Sequence, residues 1–403
     1  MPDTSSTPQL QPVPGPSSTA QPARVGGPQP LKKLPRWNRK KITIIAGVVT
    51  LVLLGVIGGY TAWRSFASVS EDSGVFGNLP FAEDRAAQLA EERKATMSGL
   101  SGVACAHPDR RAIGVMLAGD PINRPMSGFS QADMVWELPV LTSNVTRLLA
   151  VYQCGEPADV GSVRSARHDY LFLADGIDAI VAHWGGSYHA LNRIAVGEFQ
   201  TLNALTNPHN AFFRKSHLPA PYNGFTTYER LWNALQQLGY RTTTNFKGYD
   251  FKDDIPASER IAGGKLSVGW PGQYQVSYEY DPATNRYVRY WAGVRQVDEA
   301  DKQIVAPSAV AIARAPNQFA DGPGGYNEVG IEGEGALEVY QDGKMIKGTW
   351  KKNPLDPKDP VHFLNEQGEP IIFTRGQVWV MTPDTTIAVI WEPHQIGVPA
   401  TPG

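Results

Sequence analysis

The sequence predicts a mixed α/β (α+β) domain followed by a smaller β-rich domain, both carried outside a membrane on one N-terminal helix. Three observations lead there. An uncharged apolar run spans residues 42–63. From residue 103 to about 240, short apolar runs bounded by Gly, Pro, Asn or Asp alternate with helix-like stretches. From 265 to 392 the helical patterns give way to apolar runs separated by turn dipeptides. At 403 residues the chain is long enough for two or three domains, and a 42% hydrophobic, 19% charged composition is that of a globular protein. The net charge of −2 provides no overall attraction to nucleic acid or anionic lipid.

Residues 1–41 read as a disordered cytoplasmic tail ending in a basic juxtamembrane segment. The first thirty are rich in Pro, Ser, Thr and Gln and bury too little surface to offset chain entropy. Their PQP and PVPGP segments favour polyproline conformations, which leaves a proline-recognising partner open beside the plainer reading of an unstructured tail.

The run 42–63 (ITIIAGVVTLVLLGVIGGYTAW) is long enough, at about 1.5 Å per residue, to cross a hydrocarbon core of about 30 Å. Trp37, Tyr60 and Trp63 flank it as interfacial aromatics do. It is too long for the apolar region of a signal peptide, and no small-residue cleavage site follows. No Cys lies near its end, which argues against a lipoprotein anchor. Lys32, Lys33, Arg36, Arg39, Lys40 and Lys41 precede it, whereas Arg64 is the only immediate cation after it. That bias holds the N-terminus in the cytoplasm and puts the bulk of the chain outside.

Residues 64–102 form a juxtamembrane helix and linker, with the helix at 81–97 (FAEDRAAQLAEERKATM) broken by Gly99 and Gly102. The first domain, 103–264, has strand-like runs at 112–117, 134–139, 148–152 and 179–183, and helical candidates at 168–176 and 228–238. The second, 265–395, opens with YQVSYEY and YVRYWA flanking DPATNR, a hairpin signal. Further strand-like runs fall at 305–312, 336–341, 345–350, 370–373, 378–381 and 386–391, with Asp342-Gly343 closing a second hairpin. Residues 396–403 are a short tail. Cys105 and Cys154 are the only cysteines. If the strands at 112–117 and 148–153 are antiparallel neighbours, the two meet, and a disulfide suits an oxidising compartment.

Familiar catalytic signatures are missing: no Gly-rich phosphate loop, His-Glu-x-x-His, Gly-x-Ser-x-Gly or Cys-x-x-Cys occurs. The eight histidines lack metal-ligand spacing, so neither a metal nor a cofactor is expected. What stands out is a set of polar groups at strand ends. Arg124 and Asp133 precede the strand carrying Glu137, and Arg147 heads the next. Arg164, Ser165 and Arg167 lead into a helix. Asp178 opens a strand that ends in His183, Gly185 and Gly186. Loops at strand ends are held rigidly by the sheet, guanidinium groups grip carboxylate or phosphate, and Gly-Gly lets a ligand approach the backbone. Glu137, in the apolar context VWELP, is a candidate general acid if desolvation raises its pKa. The competing reading pairs these arginines with Glu137, Asp133 and Asp178 as internal struts.

The runs RPMSGFSQADMVWE, TRLLAVYQ, VGSVRSARHDY and GIDAIVAHWGGS resemble the YerB-like bacterial envelope proteins, the DUF3048 family, whose activity is uncharacterised. FFRKSHLPAPYNGFTT is similar to that family's closing motif and brings in Arg214 and Asn223; the stretch 333–379 resembles its smaller C-terminal domain. One departure is Tyr222, where the family carries His, so a catalytic role for that His would not transfer. The resemblance implies anchoring outside the cytoplasmic membrane. Together these readings give an envelope protein binding an anionic or carboxylate-bearing cell-wall ligand, such as peptidoglycan, through an arginine-lined pocket. The alternatives are a glycan-cleaving enzyme on that polymer and a structural, partner-binding module. Nucleic acid is not an expected partner.

Topology is directly testable. Protease added to intact spheroplasts digests the region beyond Arg64 and spares the tail; protection of the large region would reverse the orientation.

Overall fold

The computed structural model describes residues 96–141, 145–320 and 325–394. The tail, the apolar run 42–63 and nearly all of the 81–97 stretch lie outside them. Met97, the last residue of that stretch, forms a β-bridge with Ala104 instead of a helical turn. Among the described residues no helix is long and apolar enough to cross a membrane.

One ten-stranded sheet organises the molecule. Its strands in chain order are β1 (Ile113–Ala118), β2 (Met134–Leu141), β3 (Val145–Tyr152), β4 (Ile180–His183), β5 (Thr201–Asn203), β6 (Ala309–Ala313), β7 (Gly333–Gln341), β8 (Lys344–Lys352), β9 (His362–Asn365) and β10 (Val378–Met381). In space the order is β9-β8-β7-β6-β10-β2-β3-β1-β4-β5. β10 runs parallel to both β6 and β2, so a C-terminal strand sits against an N-terminal one in mid-sheet. β1, β4 and β5 are parallel to one another, and β3 is antiparallel to β1 and β2. Burial on both faces explains the unbroken apolar runs IGVMLA and VWVM.

On one face lies helix α1 (His168–Gly176), packed with Met116, Met134, Leu149 and Val380. On the other lie α3 (Tyr228–Gln237) and a five-stranded sheet built from residues 264–393. That second sheet is half-solvated. VSYEYD and RYVRYW alternate strictly between buried and less buried positions, and Tyr278, Tyr287 and Trp291 point to the core. A short helix α2 (Tyr188–Ala195), capped by the Ser187 hydroxyl, lies between β4 and β5.

The chain is therefore mostly sheet, more so than a mixed α/β reading of its first part suggests. The helices at 168–176 and 228–237 form where their patterns place them, and α2 is an addition. Two C-terminal strands are shorter than expected. The first regular pairing near 305–312 begins at Ala309, after Pro307, and of the 370–373 run only Phe373 enters a strand (Phe373–Thr374), while Pro370 makes an isolated bridge with Leu364. Proline supplies no ladder donor. At the β7–β8 hairpin, Asp342 and Gly343 both take positive φ (54° and 72°), the conformation a two-residue turn needs to match strand twist.

The expected antiparallel register of β1 and β3 sets Ile113 opposite Tyr152, and Cys105 and Cys154 are disulfide-bonded with Cα atoms 5.8 Å apart. Asp133 secures this corner by accepting hydrogen bonds from the Ser101 hydroxyl (2.6 Å) and the backbone N–H of Gln153 (2.8 Å) and Cys154 (2.9 Å). At a sequence separation of 49, the cross-link removes about 4 kcal/mol of unfolded-chain entropy. Replacing both cysteines by Ser should lower unfolding stability by about that amount in a urea titration; a change below about 1 kcal/mol would show the reduced chain to be equally constrained.

Candidate functional site

The loop 161–167 lies across the C-terminal ends of the parallel strands β1 and β4. Arg164 N–H donates to Met116 O (2.8 Å), Trp184 N–H to Arg164 O (2.9 Å) and Ala166 N–H to Gly185 O (2.9 Å). Gly185 adopts φ 65°, and a Cβ on Gly186 would crowd Leu191 at 3.1 Å. The Gly-Gly pair thus admits the neighbouring loop's backbone, a correction to its reading as an opening for ligand. His183 braces the same turn. Fully buried, it contacts Gly185 O through Nδ1 (2.7 Å) and the Thr201 hydroxyl through Nε2 (3.1 Å), and burial lowers its pKa. With both nitrogens engaged it is a brace and not a ligand contact.

Three arginines converge on this loop. Arg147 heads β3 opposite Ala118 and donates through Nη1 to Ser165 O (2.9 Å). Arg167 reaches Ser165 O (3.5 Å) and Ala166 O (3.0 Å), and its guanidinium lies 4.7 Å from the Tyr326 ring centroid. Arg164 lies over Tyr222 at 5.0 Å. Ser165 takes part through its carbonyl. The Nε groups of all three are buried and unpartnered, and none has a carboxylate within ion-pair distance among the described residues. Burial, and then repulsion from Arg167 and Arg164, pull Arg147 down to about 9, which leaves it cationic at neutral pH. Burial also lowers Arg167.

The acids are engaged elsewhere. Glu137 is fully buried, with Oε2 2.6 Å from Arg289 Nη2 and 3.2 Å from Trp379 Nε1, and Oε1 accepting from the Thr146 hydroxyl (2.9 Å). A carboxylate with both oxygens bonded and no exposure cannot meet a substrate, so the general-acid role falls. Although burial opposes its charge, Glu137 and then the Tyr278 phenol hold Arg289 above its usual pKa. Asp133 serves the disulfide corner. Asp178 lies at the far end of β4, paired with Arg241 (2.5 Å) and Arg111 (3.3 Å) on a separate cavity of about 740 Å³.

Of two other candidates, Arg124 sits apart and Arg214 lies at the edge. Arg124 stacks 3.6 Å over Trp291 and donates to Gln273 O (2.6 Å) and Gly119 O (3.0 Å), tying the second sheet to the end of β1; burial, then Arg289, lower it to about 10. Arg214 is exposed, bonded to Asn223 Oδ1 (2.6 Å) and stacked on Trp184 (4.2 Å), beside Tyr222 at the rim of the arginine cluster. The sequence reading missed Arg289 as Glu137's partner. Its signal was present, since the strand period sets Arg289 on the same face as Tyr287 and Trp291. Tyr326 gave no comparable signal.

The two sequence segments that share the ten-stranded sheet are also the two that the sequence comparisons match. Residues 97–241 match the protein of unknown function (DUF3048) N-terminal domain and residues 266–380 its C-terminal domain. The chain belongs to the DUF3048 family. It is 30% identical over 318 residues to the Bacillus subtilis (strain 168) protein named "Putative lipoprotein YerB", covering 76% of this chain and 92% of that one. The crystal structure of the YerB protein from Bacillus subtilis matches the fold with a TM-score of 0.65 at 26% identity, over 73% of this chain and 99% of that one.

The ion pair has a measurable signature. Arg289→Met leaves Glu137 buried without its cation and should cost about 3–5 kcal/mol in chemical denaturation, whereas Glu137→Leu combined with Arg289→Met should recover most of it. A loss below about 1 kcal/mol in the single variant would remove the pair from its structural role.

Proposed function

We propose that this protein is a membrane-anchored envelope protein that binds an anionic, carboxylate-bearing ligand of the cell wall through Arg147, Arg164 and Arg167. The observation that carries the reading is the convergence of three guanidinium groups, two of them almost fully buried, with no carboxylate partner among the described residues. A buried cation without a counter-charge costs several kcal/mol, and a bound anion offsets that cost with charge-assisted hydrogen bonds. The carboxyl ends of parallel strands are where open α/β sheets take ligands. The name of the Bacillus subtilis relative supports attachment to a membrane, and residues 42–63 are the segment of this chain suited to it. Peptidoglycan carries lactyl and peptide carboxylates and is the abundant polymer within reach of such an anchor.

The strut alternative fits Glu137, Asp133, Asp178 and His183, each fully engaged in the fold, whereas the three arginines bond only loop carbonyls and rings and have no ion-pair partner among the described residues.

Calorimetric titration with a soluble muropeptide tests the reading. Arg164→Ala and Arg167→Ala should each weaken binding about 10- to 100-fold, the value of a charge-assisted hydrogen bond, while the melting temperature holds or rises because a like charge is gone. Affinity should be steady around neutral pH, because burial lowers Arg147's pKa without removing its charge there. Stability that collapses in both variants, with no binding by the wild type, would leave only a structural role.

A further inference from the structure

We infer a second binding site in the cleft of about 740 Å³ beside Asp178, and its ligand is an uncharged saccharide. Three walls enclose the cleft: the end of α1 with Asp175 and Gly176, the loop 241–250, and the stretch 358–373, which includes β9. It thus lies at the seam between the two segments that share the large sheet, and a cleft of that size at such a seam is a usual place for a small ligand. Its walls are fixed without one. Asp178 accepts from Asn245 N–H (2.6 Å) and from Arg241 (2.5 Å), and Tyr249 N–H donates to Gly99 O (2.8 Å). Gly176 lets the stretch at Asp359 approach so closely that a Cβ would lie 2.8 Å from its carbonyl oxygen.

The lining selects the ligand. Four Arg or Lys side chains and four Asp or Glu side chains line the cleft, so it favours neither sign of charge, unlike the arginine cluster at the other end of β4. Its polar groups are within reach of a ligand: Gln200, Asn245, Lys247 and Lys358 are exposed, and Asp175 is half-buried. A carboxylate accepts and an ammonium or amide N–H donates, so both halves of a hydroxyl are served. Phe246 and Tyr249, half-buried and packed edge to face at 5.2 Å, supply an apolar wall for the C–H face of a sugar ring, with buried Phe363 behind Tyr249 at 5.4 Å. A hydroxylated ring uses both kinds of surface at once. A peptide would seek main-chain partners, but the edge of β9 away from β8 is already taken: Ile371 N–H donates to Phe363 O and Asn365 N–H to Glu369 O, both at 2.8 Å. The site draws on none of Arg147, Arg164 and Arg167, so it stands whether or not those residues bind an anion.

Full-length protein in detergent micelles is titrated calorimetrically with three uncharged probes: an N-acetylglucosamine tetramer, a β-linked glucose tetramer, and an acetylated and amidated alanine tripeptide. At least one tetrasaccharide should bind in the millimolar range or tighter, and the tripeptide should not. Asp175→Asn keeps the shape of the side chain but loses one acceptor, and should weaken saccharide binding about tenfold. Lys247→Ala, at an exposed position that folding tolerates, should weaken it severalfold with the melting temperature unchanged. Phe246→Leu retains an apolar side chain without the flat ring and should also weaken it severalfold. Arg164→Ala should leave saccharide affinity unchanged, which separates this cleft from the anion cluster. The proposal is overturned if neither tetrasaccharide binds, if the tripeptide binds as well as they do, or if the three cleft variants keep wild-type affinity.

Discussion

The buried ion pair between Glu137 and Arg289 is the constraint around which the molecule is arranged. Glu137 belongs to β2 in the N-terminal segment and Arg289 to the second sheet, contributed by the C-terminal segment. Neither side chain touches solvent, so their 2.6 Å contact holds only if the two sheets pack face to face in one register. The Trp379 indole donates to the same carboxylate from β10, so three strands from two segments meet at one group. Such a pair adds little net stability compared with a well-packed apolar substitute, but it makes mispacked alternatives costly.

That arrangement also decides the charge of the candidate site. Because Glu137 faces the second sheet, Asp133 faces the disulfide corner and Asp178 sits at the opposite end of β4, no acid from the strand-end set reaches the loop 161–167. Backbone hydrogen bonds from β1 and from the Gly185 turn hold that loop, and the carbonyl of Ser165 gathers two of the three arginines. A cationic cluster results from how the acids were distributed, not from an excess of basic residues in the chain, whose net charge is −2.

Much of the secondary structure was legible because its signals are local. The helix at 168–176, the strand at 378–381 and the Asp342-Gly343 turn follow from short-range pattern and backbone sterics. The pairing of Cys105 with Cys154 was legible too, since antiparallel neighbours must bring those ends together. The candidate site was legible only in its residue types. Arg147, Arg164 and Arg167 do meet, whereas Arg124, Asp133, Glu137, Asp178 and His183 are drawn into separate structural contacts. Strand-end position says which end of a sheet a residue occupies, and Asp178 and His183, at opposite ends of β4, show how far that falls short of a shared site.

By itself the sequence determined the apolar run at 42–63, the family, the periodicity of its strands and the supply of arginines, because each is written in residue order and needs no partner. Which arginine meets which acid was decided by tertiary structure alone. Charge pairing acts over a few ångströms between groups as far apart in the chain as Glu137 and Arg289, and only the insertion of β10 beside β2 brings those groups within reach.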